Sequence, residues 1–130
     1  MGAVDSRKFD EVSRFNWEGL MARLDGLTIE LQNDPVSYAH IIIYDGRLSR
    51  RGDVQGWMKC IRSYLVERRG MDTNRITIVD GGFREFVTVE MWLIPPDSSA
   101  PNASPTVMPK DVKYKRGILK KSRWRSLCNI

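Results

Sequence analysis

At 130 residues the chain is one domain by size, long enough to bury about two-thirds of its extended surface around a single core. Its apolar fraction of 42% and charged fraction of 28% are ordinary for a globular domain, and no apolar run reaches the ~20 residues that span a bilayer as a helix. The net charge of +5 is unevenly placed: Lys110 to Arg125 carries eight Lys/Arg and one acid, leaving thirteen basic and fifteen acidic side chains in residues 1–109. The basic pI therefore belongs to the C-terminal segment and not to the body.

The N-terminus is charged where a secretory signal needs an apolar core, so no such signal is expected within it. Met1-Gly2 with Ser6 formally fits an N-acylation pattern. Val4–Phe15 mixes charges with Phe9, Val12 and Phe15 and reads either as a short edge strand or as an irregular lead-in. Asn16 is placed to cap a helix whose apolar residues, Trp17, Leu20, Met21, Leu24, Leu27 and Leu31, recur at intervals of three and four. Asn33-Asp34-Pro35 stops it.

Tyr38–Tyr44 holds three successive isoleucines, which resist helix and suit a strand covered on both sides. Asp45-Gly46 ends it. Asp53 then reads as the cap of a second helix with the stripe Val54, Trp57, Met58, Ile61, Tyr64 and Leu65, closed by Gly70. Gln55, Lys59, Arg62 and Arg69 fall off that stripe, toward water. Arg75–Val79 is the second strand, and a crossover of this length predicts that it runs parallel to the first. Asp80-Gly81-Gly82 is read as its end. Phe86–Ile94 forms a third strand, set antiparallel to the second by the short turn 81–85. Its alternation puts Val87, Val89, Met91 and Leu93 on one face and Thr88, Glu90 and Trp92 on the other.

The organisation that follows is a lead-in (1–15), an α/β domain (16–96), a flexible Pro/Ser/Ala linker (97–109) and a basic tail (110–130). The fold class is a two-layer α/β sandwich, helix–strand–helix–strand–strand, with a mixed sheet and both helices on one face. Two cysteines make no framework. Cys60, on the edge of a helix's apolar face, reads as a small buried thiol, and Cys128 lies in the tail; a bridge between them is the less favoured alternative.

Three stretches carry a resemblance: Lys8–Glu11, Ala22–Pro35 and Tyr64–Pro96, the last including the run DGGFREFVTVEMWLIPP. Together they resemble an uncharacterised bacterial family of acidobacterial type, itself remotely similar to the C-terminal domain of outer-membrane protein A, the OmpA-like domain. The resemblance spans roughly residues 8–107. It implies a cell-envelope or periplasmic module, with peptidoglycan or another envelope component as partner. That family's ligand residues, an Asp in a GHTD motif and an Arg early in the next helix, do not transfer. The chain reads Asp45-Gly46-Arg47-Leu48 at the first position and falls near Trp57 at the second, so the charge-assisted hydrogen bonds to a diaminopimelate ligand are missing.

Candidate sites follow from placement. Asp45 and Asp80 end parallel strands, at the edge where open α/β sheets bind ligands, and Arg47 and Arg84 share that edge. The bland alternative is turn chemistry with solvated arginines. Tyr44 and Trp92 fall on the outer sheet face, an interface for a protein partner unless the chain's own ends cover it. In the tail, Lys113, Lys115, Arg116, Lys120, Lys121, Arg123 and Arg125, with Trp124, form an anion-binding set that suits nucleic acid or an anionic membrane surface. His40, the only histidine, sits inside a strand with no nucleophile or orienting acid signalled beside it. No enzyme activity, cofactor or metal site is expected. A non-catalytic binding or structural module is.

Overall fold

The computed structural model describes residues 6–129; the Met1-Gly2 pattern lies outside them. In chain order the elements are β1 (Arg7–Ser13), α1 (Trp17–Asn33), β2 (Tyr38–Gly46), the two-residue β3 (Arg50–Arg51), α2 (Asp53–Ser63), β4 (Ile76–Arg84), β5 (Thr88–Ile94) and β6 (Lys115–Ile118). Short 3-10 turns lie at Thr73–Arg75, Pro109–Asp111 and Lys121–Leu127. The main sheet is mixed, in the order β1-β5-β2-β4, with β2 parallel to β4 and antiparallel to β5. The segment that read as edge strand or lead-in supplies β1, antiparallel to β5.

Ile41, Ile42 and Ile43 are fully buried at the centre of this sheet, as a strand covered on both sides requires. Ala39, Ile41 and Ile43 with Val89, Met91 and Leu93 face the helices, and all join one core with Leu20, Leu24, Leu27 and Leu31 of α1 and Val54 and Ile61 of α2. Both helices therefore lie on one sheet face. Ile61 is fully buried and Lys59 is exposed. Ile61→Ala should accordingly lower stability by about 3 kcal/mol in urea titration, while Lys59→Ala stays within a few tenths.

Three expectations about elements are corrected. First, β4 does not break at Asp80-Gly81-Gly82 but continues to Arg84. Gly81 is there for close approach: a Cβ would stand 2.5 Å from Ile42 Cγ2 and 2.6 Å from Tyr44 Cε1. Second, β5 runs antiparallel to β4 as expected, but not as its hydrogen-bonded neighbour, because β2 lies between them. Their connection crosses the end of β2, where Arg47 N donates to the Arg84 carbonyl at 3.0 Å. Two strand spacings, about 10 Å, are within reach of three extended residues. Third, Gly52, at φ +90°, precedes α2 as its cap. Asp53 is the first helical residue and accepts from Arg50 Nε at 2.9 Å. Asn16 does cap α1, accepting from Gly19 N at 2.7 Å.

Beyond Ser63 the helix widens into a π turn, Tyr64–Arg68. Tyr64 Oη donates to Asp25 at 2.6 Å and Arg69 Nε donates to the same carboxylate at 2.8 Å, tying this turn to α1.

The C-terminal third folds back onto the domain. Thr106 N and Val107 N both donate to the Phe83 carbonyl, at 2.9 and 3.0 Å, so residues 104–107 are held against the end of β4 in place of the expected flexible linker. β6 pairs in parallel with β3, Leu119 is buried, and Cys128 is disulfide-bonded to Cys60. The less favoured alternative, a bridge, is thus the one formed, and the reading of Cys60 as a buried thiol is corrected. The partners are 68 residues apart, so no local spacing announces the bond. Gly56 makes the docking possible: a Cβ there would stand 2.6 Å from Leu127 Cδ1 and 2.7 Å from Leu119 Cδ2.

Candidate functional site

The outer sheet face carries a buried charged network. Register sets Glu90 of β5 opposite Glu11 of β1 on one side and Ile42 of β2 on the other. Two carboxylates facing each other across strands repel unless cations separate them. Lys8 and Arg84 do so: Lys8 Nζ lies 2.7 Å from Glu11 and 3.6 Å from Glu90, and Arg84 Nη2 lies 3.0 Å from Glu90 with Nη1 3.7 Å from Glu11. Tyr44 Oη donates to Glu90 at 2.9 Å and Trp92 Nε1 at 3.3 Å. Burial pulls the Glu90 carboxyl upward, but the bonds from Tyr44, Trp92 and Arg84 outweigh it and hold the group below its ordinary value.

This network also fastens the returning chain. The Arg84 guanidinium lies 3.8 Å above the Tyr44 ring and donates to the Ser104 carbonyl at 3.2 Å and its hydroxyl at 2.7 Å. Tyr44 accepts from Ser104 N at 3.0 Å. Tyr44 is thus fully buried and belongs to the interior, not to an exposed interface. Trp92 is half-buried, with Lys8 Nζ 5.6 Å from its ring centre. His40, on the same face, shares a 2.6 Å hydrogen bond with Thr77 Oγ1, and burial lowers its pKa.

The strand-end residues Asp45, Arg47, Asp80 and Arg84 do not converge. Asp45 is only 2% exposed. It accepts from Gly46 N at 2.9 Å and from Tyr114 Oη, on the tail, at 3.1 Å. Burial raises the Asp45 pKa, and burial with the neighbouring Asp45 charge pushes the Tyr114 hydroxyl up to about 12. Asp80 is exposed and accepts from Gly82 N at 3.0 Å, a turn contact. Arg47 pairs with Glu85 at 3.2 Å, and Arg84 turns to Glu90 on the outer face.

Because the Asp45 pKa is raised, its contribution to stability is full below its ordinary 3.8 and is lost as pH rises through the elevated value. Tyr114→Phe removes a donor to the ionised form. The substitution should cost about 1–3 kcal/mol near neutral pH and less at acid pH, read by urea titration.

The tail cations are arranged differently. In the body, seven of the thirteen basic side chains, Arg7, Lys8, Arg23, Arg47, Arg50, Arg69 and Arg84, stand within ion-pair distance of a carboxylate. Among the described residues Lys113, Lys115, Arg116, Lys120, Lys121, Arg123 and Arg125 are exposed, and none pairs with an acid. Folding the tail along α2 also places Lys59 beside Lys120, Lys121 and Trp124 around one cleft. The sequence places Lys59 on the water-facing side of α2 and does not show that it joins Ile118 and the tail's cations. The possible signal was the pair of cysteines, which joins α2 to the tail.

Among the described residues no group of three or more His, Cys, Asp or Glu is placed to hold a metal ion. No helix among them is long and apolar enough to cross a membrane. Compared with known proteins, the chain matches no family model and no curated protein significantly.

Proposed function

We propose that the chain is a non-catalytic binding or structural module of the bacterial cell envelope, a degenerate OmpA-like domain without the usual peptidoglycan ligand residues. The Cys60–Cys128 disulfide carries this reading, because such bonds persist in oxidising compartments such as the periplasm and are rare in the cytosol. The order of elements, with both helices on one face of a mixed sheet, accords with the resemblance of residues 8–107. At the strand end the carboxylate nearest the expected ligand position, Asp45, is closed over by Tyr114. Trapping free thiols by alkylation in intact cells tests the compartment: both cysteines should be protected, and alkylation of both would overturn it. Purified peptidoglycan tests the ligand. Retention that free diaminopimelate competes away would require an open Asp45 and would contradict the degenerate site.

A second reading has its own observation. The tail cations, without an acid partner among the described residues, favour binding of an anionic surface or nucleic acid by counterion release. Cutting at Pro109 is not a clean test, since the tail supplies Tyr114, Leu119 and Cys128 to the packing. Charge reversal at Lys120, Lys121 and Arg123 is. Retention on heparin should fall with salt and be lost in the variant, and salt-insensitive retention would sink the reading.

A further inference from the structure

Ile118, at the end of β6, is 67% exposed, and cations surround it. It borders a cleft of about 260 Å³ shared by Gln55, Gly56 and Lys59 of α2 with Lys120, Lys121 and Trp124 of the tail. On its other side a second cleft, also about 260 Å³, is bounded by Arg50, Lys120, Arg123 and Ser126. Of these cations only Arg50 is within ion-pair distance of an acid, Asp53 at 2.9 Å, among the described residues. The ground beneath is fixed, with Leu119 buried against Gly52 and Gly56 and Cys128 bonded to Cys60. An apolar tip and a half-buried indole thus stand on a rigid base, ringed by Lys59, Lys120, Lys121 and Arg123, none of which has an acid partner among the described residues.

Two kinds of polyanion would answer that charge, and the aromatic side chains discriminate between them. Nucleic acid bound through stacking needs free ring faces for successive bases. Tyr114 is committed to Asp45, to Phe83 with centroids 6.2 Å apart, and to the Arg51 guanidinium at 4.7 Å. One face of Trp124 is taken by Arg125 at 4.4 Å. No pair of open platforms remains, and an exposed isoleucine has nothing to meet on a phosphate backbone. A bilayer rich in anionic phospholipid uses each of these features. Lysines and arginines meet headgroup phosphates, Trp takes the headgroup level, and an aliphatic tip enters the boundary with the acyl chains.

We infer that the face built by α2 and the tail, with Ile118 at its centre and Lys59, Lys120, Lys121, Arg123 and Trp124 around it, docks the protein on anionic phospholipid membranes. This rests on the anionic-surface reading of the tail and names its partner. Binding is peripheral: the cations supply attraction that salt screens, and Ile118 supplies a contact that salt does not.

The test uses the full oxidised chain with vesicles of phosphatidylcholine alone or mixed with phosphatidylglycerol, and a heparin column in parallel. The chain should sediment with the mixed vesicles and not with phosphatidylcholine alone. Ile118→Ser should weaken vesicle binding about tenfold while leaving heparin retention and thermal midpoint unchanged. Lys120→Glu with Lys121→Glu should lose both. Equal vesicle affinity of Ile118→Ser and the parent chain would overturn insertion while leaving the anionic-surface reading standing. Retention on heparin without vesicle binding would overturn the membrane partner in favour of nucleic acid or another polyanion. Retention on neither support would remove the underlying reading itself.

Discussion

Glu90→Ala should destabilise the protein by about 4 kcal/mol near neutral pH, because it breaks a buried ion pair and leaves its partners unmatched. The Glu90 side chain is 4% exposed and that of Arg84 15%, so the guanidinium left behind has little water to replace the carboxylate. Its remaining acid, Glu11, lies 3.7 Å away and is itself shared with Lys8. Tyr44 and Trp92 also lose an acceptor each. The loss extends to the segment at Ser104, which Arg84 and Tyr44 hold in place. Urea titration gives the magnitude, and faster amide exchange at Ser104–Val107 than at Leu93 or Met91 would locate it.

The pH dependence has a definite sign. Glu90 is held below its ordinary 4.5, so its contribution is complete above that value and is lost as pH falls through the lower folded-state value. The stability gap between parent and Glu90→Gln should be flat near neutrality and shrink as pH falls below the ordinary 4.5. A gap that widens on acidification would mean that burial, and not the donors, dominates at this carboxyl. Asp45 acts in the opposite direction, so the two groups together narrow the pH range of maximum stability.

The second large effect concerns the disulfide. Replacing both Cys60 and Cys128 by serine should also cost about 4 kcal/mol, the chain-entropy value for a loop of this length. The variant tests more than a cross-link, since the bond anchors the far end of a segment whose near end holds Tyr114 on Asp45. If the tail detaches without the bond, the Tyr114 hydroxyl pKa should drop from about 12 toward its ordinary 10.0, readable by ultraviolet pH titration. An unchanged titration with lowered stability would show that β6 holds its place against β3 without the bond.

Periodicity made most of the scaffold legible. The intervals in Trp17–Leu31 and in Val54–Leu65, the isoleucine run and the alternation of Val89, Met91 and Leu93 each encode a face through the 3.6-residue and two-residue repeats of side-chain direction. Those signals are local, so they survive in a linear reading. The strand pairing was less accessible: the Gly81 position reads as a turn from sequence, whereas in the sheet it clears space for the Tyr44 ring. The order β1-β5-β2-β4 depends on a connection crossing the end of β2, which no residue type declares.

The candidate site divides in the same way. Composition by itself determined that the tail was cationic and the body was not, since net charge is a property of the list of residues. Only the tertiary structure decided that Arg7, Arg23, Arg47, Arg50, Arg69 and Arg84 meet acids, that the tail's cations meet none among the described residues, and that Lys59 joins them beside Ile118. It also decided that Asp45 is closed by Tyr114 and that Cys60 meets Cys128. Asp45 and Tyr114 are 69 positions apart, the two cysteines 68, and Tyr44 and Ser104 60. Chain spacing at that distance carries no geometric information until the core of helices and sheet brings the partners together.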